Sequence, residues 1–167
     1  MHDELTKIDI QKMREELEHR ENVLMPKILE DVKVARSFGD LSENFEYKAA
    51  KAEQRKNMSR IRYLKQMLAS AVVIATASAN AVVGLFDRVV LFLEDDQEEM
   101  TVRFVTTLRQ NALEGLISKE SPLGQAAMGH RVGDRVYVKV SDDYGYWAEI
   151  RSIEKGQDDD TLEISAY

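Results

Sequence analysis

Two long runs of helical periodicity, joined by four residues, constrain this chain more than any other feature. From Ile10 the apolar residues Ile10, Met13, Leu17, Leu24, Ile28 and Ala35 recur at spacings built from three and four, one stripe of a helix. A second stripe runs Tyr47, Ala50, Gln54, Met58, Ile61, Leu64 and Leu68. Between them "SFGD", residues 37–40, leaves room only for a tight reversal. Helices joined this way are antiparallel, and each buries its narrow stripe against the other. At 1.5 Å per residue, helices of about 27 residues make a rod roughly 40 Å long. Pro26 falls inside the first stripe and is expected to bend it slightly.

After this hairpin the period changes. "DRVVLFLE" and "MTVRFVTT" are β-rich runs separated by the acidic turn "DDQEE". "SPLGQAAMG" follows the grammar of a short helix, with Ser121 as cap, Pro122 in the first turn and Gly129 beyond the end. "DRVYVKV", "YWAEIRSI" and "TLEISA" supply further strands. The expected fold is α+β: an antiparallel two-helix coiled coil over 1–76, then a small antiparallel sheet with one packed helix over 77–167. The stretch from Gln66 to Phe86 carries no charge and is long enough to test as a membrane span. Its Ala, Ser and Thr content, with Gln66 and Asn80, favours a helix end, a linker and a strand instead.

Charge separates the two parts. Residues 1–70 hold 14 basic and 13 acidic side chains, net +1, whereas 71–167 hold 9 and 17, net −8. There is no cysteine, which excludes disulfides, thiolate metal sites and a cysteine nucleophile and fits a reducing, cytoplasmic setting. His2, His19 and His130 are too scattered for a zinc site, and there is no Gly-rich phosphate loop or serine triad.

The chemistry-bearing stretch is "GDLSENFEYKAAK", residues 39–51, at the reversal. Gly39 suits a left-handed close of the first helix. Asp40 with Glu43 matches a capping box at the start of the second. The same pair, three apart on one helical face, could give oxygens to a shared Mg²⁺, which takes one or two protein carboxylates plus waters and phosphate oxygens. From Asn44 to Leu68 there are seven basic residues against two acidic ones. Lys48, Lys51 and Arg55 line one face near the tip, as phosphate contacts would. Only Phe45 and Tyr47 offer aromatic surface there.

These residues resemble the tip signature of the Gre factors, bacterial transcript-cleavage factors whose pattern runs close to G-D-x-x-E-N-x-E-Y. "MPKILEDVKVARSFGD" is similar to that family's approach to the tip, and "ISKESPLGQAAMGHRVGD" to its C-terminal segment. The resemblance covers nearly the whole chain. It implies an FKBP-like C-terminal domain, and a cytoplasmic monomer that joins bacterial RNA polymerase on DNA. The coiled coil would enter the polymerase secondary channel. Asp40 and Glu43 would help hold a catalytic Mg²⁺ shared with the polymerase, the factor having no cofactor of its own. The polymerase would then cleave backtracked RNA near the nascent 3′ end. Arg36 and Lys51, with Lys48 and Arg55 beside them, match the RNA contacts; Glu120, Ser121 and Pro122 match the loop that grips the channel rim. Phe45 stands where the best-known members carry alanine.

Three other readings stay open. One is a Gre-like inhibitor that keeps the rod without stimulating cleavage. Another is a prolyl isomerase, which needs an apolar pocket; most of Phe86, Phe92, Phe104, Tyr137, Tyr144, Tyr146 and Trp147 are expected in the core instead. The last is a coiled-coil adaptor whose tip is only a cap.

Overall fold

The computed structural model describes residues 3–39, 43–75 and 81–165. The fold is α+β, and the chain divides into two compact units. One comprises Met1–Asp3 with Ile10–Val72, the other Glu4–Asp9 with Val73–Tyr167. The expected boundary between residues 76 and 77 lies outside the described residues.

The helical unit is built from α1 (Lys7–His19), a π-helical turn (Arg20–Leu24), α2 (Met25–Ser37) and α3 (Phe45–Ser70). The bend expected at Pro26 takes the form of that π turn. Proline has no N–H and its ring crowds the carbonyl four residues back, so widening the preceding turn relieves both. The Met25 N–H accordingly donates to the Arg20 carbonyl, five residues back. Pairings Ala35–Asn44, Arg20–Asn57 and Glu16–Arg60 run in opposite chain directions, as an antiparallel hairpin requires.

Met13, Ile28, Val32 and Ala35 are buried on the first arm and Leu64 on the second. The second stripe differs from expectation: Met58 is exposed and the polar Asn57 and Arg60 are buried. A hydrogen-bond network explains the exchange. Arg60 donates to both Glu16 carboxylate oxygens, from Nε at 2.8 Å and Nη2 at 3.0 Å. Arg20 donates to Glu16 (2.7 Å) and to Asn57 Oδ1 (2.9 Å), and Asn57 Nδ2 returns a bond to the Arg20 carbonyl (3.3 Å). The π-turn carbonyl therefore accepts from both arms. Burial alone would raise the Glu16 carboxyl, but the bonds from Arg60 and Arg20 outweigh it and hold it below the usual carboxylate range.

In the second unit, β3 (Arg88–Leu93), β4 (Glu98–Val105), β5 (Leu116–Ser118), β6 (Arg135–Lys139) and β7 (Gly145–Glu154) form one sheet, in the order β5-β4-β3-β7-β6. Two short strands, β1 (Glu4–Leu5) and β2 (Val72–Val73), pair separately. The sheet is mixed, not wholly antiparallel as expected: β5 runs parallel to β4. A parallel neighbour needs a crossover, here residues 106–115 with 3₁₀ turns at Thr107–Arg109 and Ala112–Glu114. β3 and β4 form the expected hairpin, its turn closed by Gln97 at φ 54°. Helix α4 (Pro122–Ala127) packs Leu123 and Ala127 onto Val89, Leu91, Val102, Phe104, Val136, Val138, Ala148 and Ile150.

"TLEISA" is not a strand; the tail is held by side chains instead. Arg109, buried, donates from Nε to Asp9 (2.7 Å) and from Nη1 to Asp158 (2.6 Å) and the Asp159 carbonyl (3.1 Å). Thr6 and Asp9 form a reciprocal capping box at the start of α1, at 3.0 and 3.1 Å, which fixes the carboxylate that Arg109 meets. The Arg109 guanidinium also lies 5.3 Å above the ring of Phe86. Phe86 is fully buried at φ 67°, a backbone conformation few phenylalanines adopt. Gly156 allows it, since a Cβ there would stand 2.0 Å from the Phe86 carbonyl oxygen.

Two outcomes are expected. Arg109→Met leaves two carboxylates facing a buried site without their partner and should destabilise the second unit by about 3–5 kcal/mol. Urea unfolding followed by Trp147, the only tryptophan, reads this. Glu16, ionised more readily in the folded hairpin than in the unfolded chain, contributes stability that is present above the usual carboxylate range. That contribution is lost as pH falls through the lowered folded value. Far-UV circular dichroism melts against pH should show an acid limb that Glu16→Gln flattens.

Candidate functional site

Helix α2 ends at Ser37, and Phe38 closes it with its N–H bonded to the Ala35 carbonyl (3.2 Å). Gly39 follows at φ 115°, the positive value expected of it. Helix α3 starts at Phe45, later than the capping reading placed it, and its cap is Asn44. Asn44 Oδ1 accepts from the Tyr47 N–H at 2.9 Å, while Asn44 Nδ2 donates to the Ala35 carbonyl at 2.6 Å. One amide thus satisfies an orphan donor of α3 and adds a second bond to a carbonyl in the last turn of α2. A carboxylate accepts only and could not do both. That is the physical reason why the cap is Asn44 and not an acid.

Glu43 is exposed in the turn just ahead of α3. Asp40 lies outside the described residues. Glu46, in the first turn of α3, adds a second exposed carboxylate near the positive end of the helix dipole.

The basic residues fall around this turn. Arg36 Nη2 lies 3.5 Å from the Tyr47 hydroxyl and its guanidinium 5.7 Å from the ring centre. The Arg36 hydrogen bond, with Arg36 and Lys51 charge behind it, holds the Tyr47 phenol below its usual range. Lys48 Nζ sits 5.7 Å over the exposed ring of Phe45. Lys51 Nζ donates to Gln54 (2.7 Å), and Arg55 is exposed one turn further. Two of the seven basic residues of α3 do not belong to this face. Arg60 turns into the hairpin seam, and Lys65 pairs with Glu21 at 2.5 Å.

A second candidate surface is the loop at Glu120, Ser121 and Pro122. Ser121 caps α4 by accepting from the Gly124 N–H (3.0 Å), and Pro122 occupies the first turn, as expected. Gly124 packs so closely that a Cβ would stand 2.4 Å from the Ser118 carbonyl oxygen. The loop base is ionic: Lys119 bonds Glu4 and lies 3.2 Å from Glu120. Burial alone would lower the Lys119 pKa, and the two glutamates together raise it. Glu120 and Pro122 remain exposed.

Most of the C-terminal aromatics are not core, contrary to expectation. Phe86 and Phe104 are buried, while Tyr137, Tyr144 and Trp147 are exposed. Arg135 stacks 3.9 Å over Trp147, and Arg151 4.6 Å over Phe92. The cavity beside Arg109 is lined by polar residues such as Gln110, Asn111 and Glu114 together with Leu116, Leu162 and Ile164, and by no aromatic, whereas prolyl isomerisation needs an aromatic-lined pocket. Among the described residues no group of three His, Cys, Asp or Glu side chains could hold a metal, and no helix is long and apolar enough to cross a membrane.

The described residues thus combine a helical hairpin, whose reversal carries exposed carboxylates and neighbouring cations, with a small mixed-sheet domain. The profile "Transcription elongation factor, N-terminal" matches residues 4–73, and "Transcription elongation factor, GreA/GreB, C-term" matches 78–155. The transcription elongation factor GreA of Geobacillus kaustophilus is 41% identical over 137 residues, 81% of this chain and 87% of that one. GreA of Macrococcus caseolyticus is 42% identical over 137 residues, 81% of this chain and 86% of that one. The crystal structure of GreA factor homolog 1 of Thermus thermophilus aligns over 93% of this chain and 100% of its own, at 25% identity and a TM-score of 0.44. The chain belongs to the GreA/GreB family of transcription elongation factors.

Substitutions at the clamp should rank. Asn44→Ala removes both bonds and should cost at least the usual cap loss of about 0.5–2 kcal/mol. Asn44→Asp keeps the α3 cap but cannot donate to Ala35, and should fall between alanine and wild type. Thermal melts of the full chain read the order.

Proposed function

We propose that this protein binds bacterial RNA polymerase, passes its helical hairpin into the secondary channel and stimulates the polymerase's own Mg²⁺-dependent cleavage of backtracked RNA. The observation that carries this reading is the Asn44 clamp. It holds both arms of the hairpin at one point and leaves Glu43 exposed ahead of α3, with Arg36, Lys48 and Lys51 beside it. A thin rod that ends in carboxylates suits delivery into a narrow channel.

The donor chemistry fits Mg²⁺ only as a shared ion. Carboxylate oxygens are the ligands this hard cation prefers, but Glu43 with Asp40 supplies too few to hold it alone, and the remainder would come from the polymerase, water and RNA phosphate. A magnesium ion so held would lower the pKa of a bound water and neutralise charge developing on the scissile phosphate. Glu43 and Asp40 would orient that water, and the factor itself would hydrolyse nothing. Lys48, Lys51 and Arg55 would neutralise phosphates of the extruded strand and add a salt-dependent component to binding. Glu120, Ser121 and Pro122 form a rigid, partly exposed turn on an acidic unit, suited to protein contact rather than nucleic acid.

Cleavage of a stalled, backtracked elongation complex tests the proposal. Asp40→Asn with Glu43→Gln should abolish the stimulation while polymerase binding survives, because charge is lost and the Asn44 cap is untouched. Wild-type cleavage by the double variant would remove the metal-holding role. Slower cleavage on adding the wild-type protein would assign it to the inhibitory relatives. Replacing Lys48, Lys51 and Arg55 with alanine should flatten the dependence of activity on salt, and an unchanged slope would make them a solvated face.

A further inference from the structure

Among the described residues, two phenylalanines at the tip are left largely exposed. Phe45 is 81% exposed and Phe38 is 66% exposed. With Glu43, Asn44 and Glu46 they line one shallow depression. Phe45 heads α3 and Phe38 closes α2, so the Asn44 clamp ties together the two helix ends that carry them. Lys48 Nζ stands 5.7 Å over the Phe45 ring, so a cation already lies on one side of an exposed aromatic ring. Lys51 and Arg55 continue that charge along α3.

An exposed π face beside an ammonium group, with phosphate-seeking cations behind it, is the chemistry that receives unpaired nucleotides. The base stacks on the ring, and the phosphate meets the cation. The adjacent carboxylates of Glu43 and Glu46 repel phosphate, so the strand would approach along the Lys48 side with its base over Phe45.

We infer that Phe45, flanked by Phe38 and Lys48, is a stacking platform for the unpaired 3′-terminal base of the backtracked RNA. The inference rests on the elongation-complex reading above and adds the part of the substrate that the tip recognises. Phe45 is here a positioning residue: it holds the terminal nucleotide so that the phosphodiester bond lies beside Glu43.

The test uses the full-length protein with backtracked complexes whose RNA ends in a normal base, an abasic nucleotide or the fluorescent base 2-aminopurine. Phe45→Ala should slow stimulated cleavage of the normal end on the order of five- to tenfold, the low end of what one base–aromatic stack supplies. The abasic end should slow the wild type equally and Phe45→Ala no further, while Phe45→Trp keeps wild-type rates. Wild-type protein, but not Phe45→Ala, should quench 2-aminopurine at equal polymerase occupancy. Quenching without cleavage would keep the platform and overturn the cleavage reading. Cleavage with no quenching, or an equal loss from Phe45→Ala on normal and abasic ends, would overturn the platform, the latter assigning Phe45 to a polymerase protein surface.

Discussion

A guanidinium removed from water must bring carboxylates with it, and in each compact unit of this protein that requirement decides which chain segments meet. Leaving such a charge unanswered costs several kilocalories per mole, more than most single packing contacts return. In the helical unit, Arg60 is answered by Glu16 on the opposite arm, and Arg20 joins them through Asn57. This polar layer sets the register of two arms whose apolar stripes are too narrow to do so alone. In the second unit Arg109 draws together residues 6–9, the crossover and the tail. It acts with Asp87, which accepts from Lys155 and Gly156, and with Arg103, which donates to the Gln157 carbonyl, to hold the chain beyond β7.

The tip follows from the same economy of polar groups. A reversal between two helices exposes unsatisfied carbonyls on one side and unsatisfied N–H groups on the other. An asparagine amide can both accept and donate, so Asn44 caps α3 and reaches α2 while Glu43 and Glu46 stay exposed. The acidity of the second unit and the cationic flank of α3 give the two parts opposite electrostatic characters.

Much of this could be read from the residues alone. The hairpin followed from the spacing of Met13, Ile28 and Leu64, and α4 from Ser121, Pro122 and Gly129, because caps and periodicity are local signals. Periodicity failed where the seam is polar: a search for apolar residues selected Met58 and passed over Asn57 and Arg60, whose partners lie some 40 residues away. The cap of α3 at Asn44 was missed, because its second bond reaches the other helix and leaves no trace in local spacing. Arg109 was invisible for the same reason, its partners being 100 and 49 positions distant. The parallel placement of β5 likewise depends on a crossover that no strand propensity records.

The π turn at Arg20–Leu24 is one residue inserted into a helix without a loop. Each residue of an α-helix advances the chain by about 100° around its axis. Everything beyond the turn, including Arg36 and the phenylalanine that closes α2, is therefore rotated by that amount relative to an uninterrupted helix. The turn acts as a phase setting for the rod: it decides which side of the hairpin the tip groups face when the other end is held. Two relatives with identical tips but different residue counts between Glu16 and Pro26 would present the same chemistry in different directions.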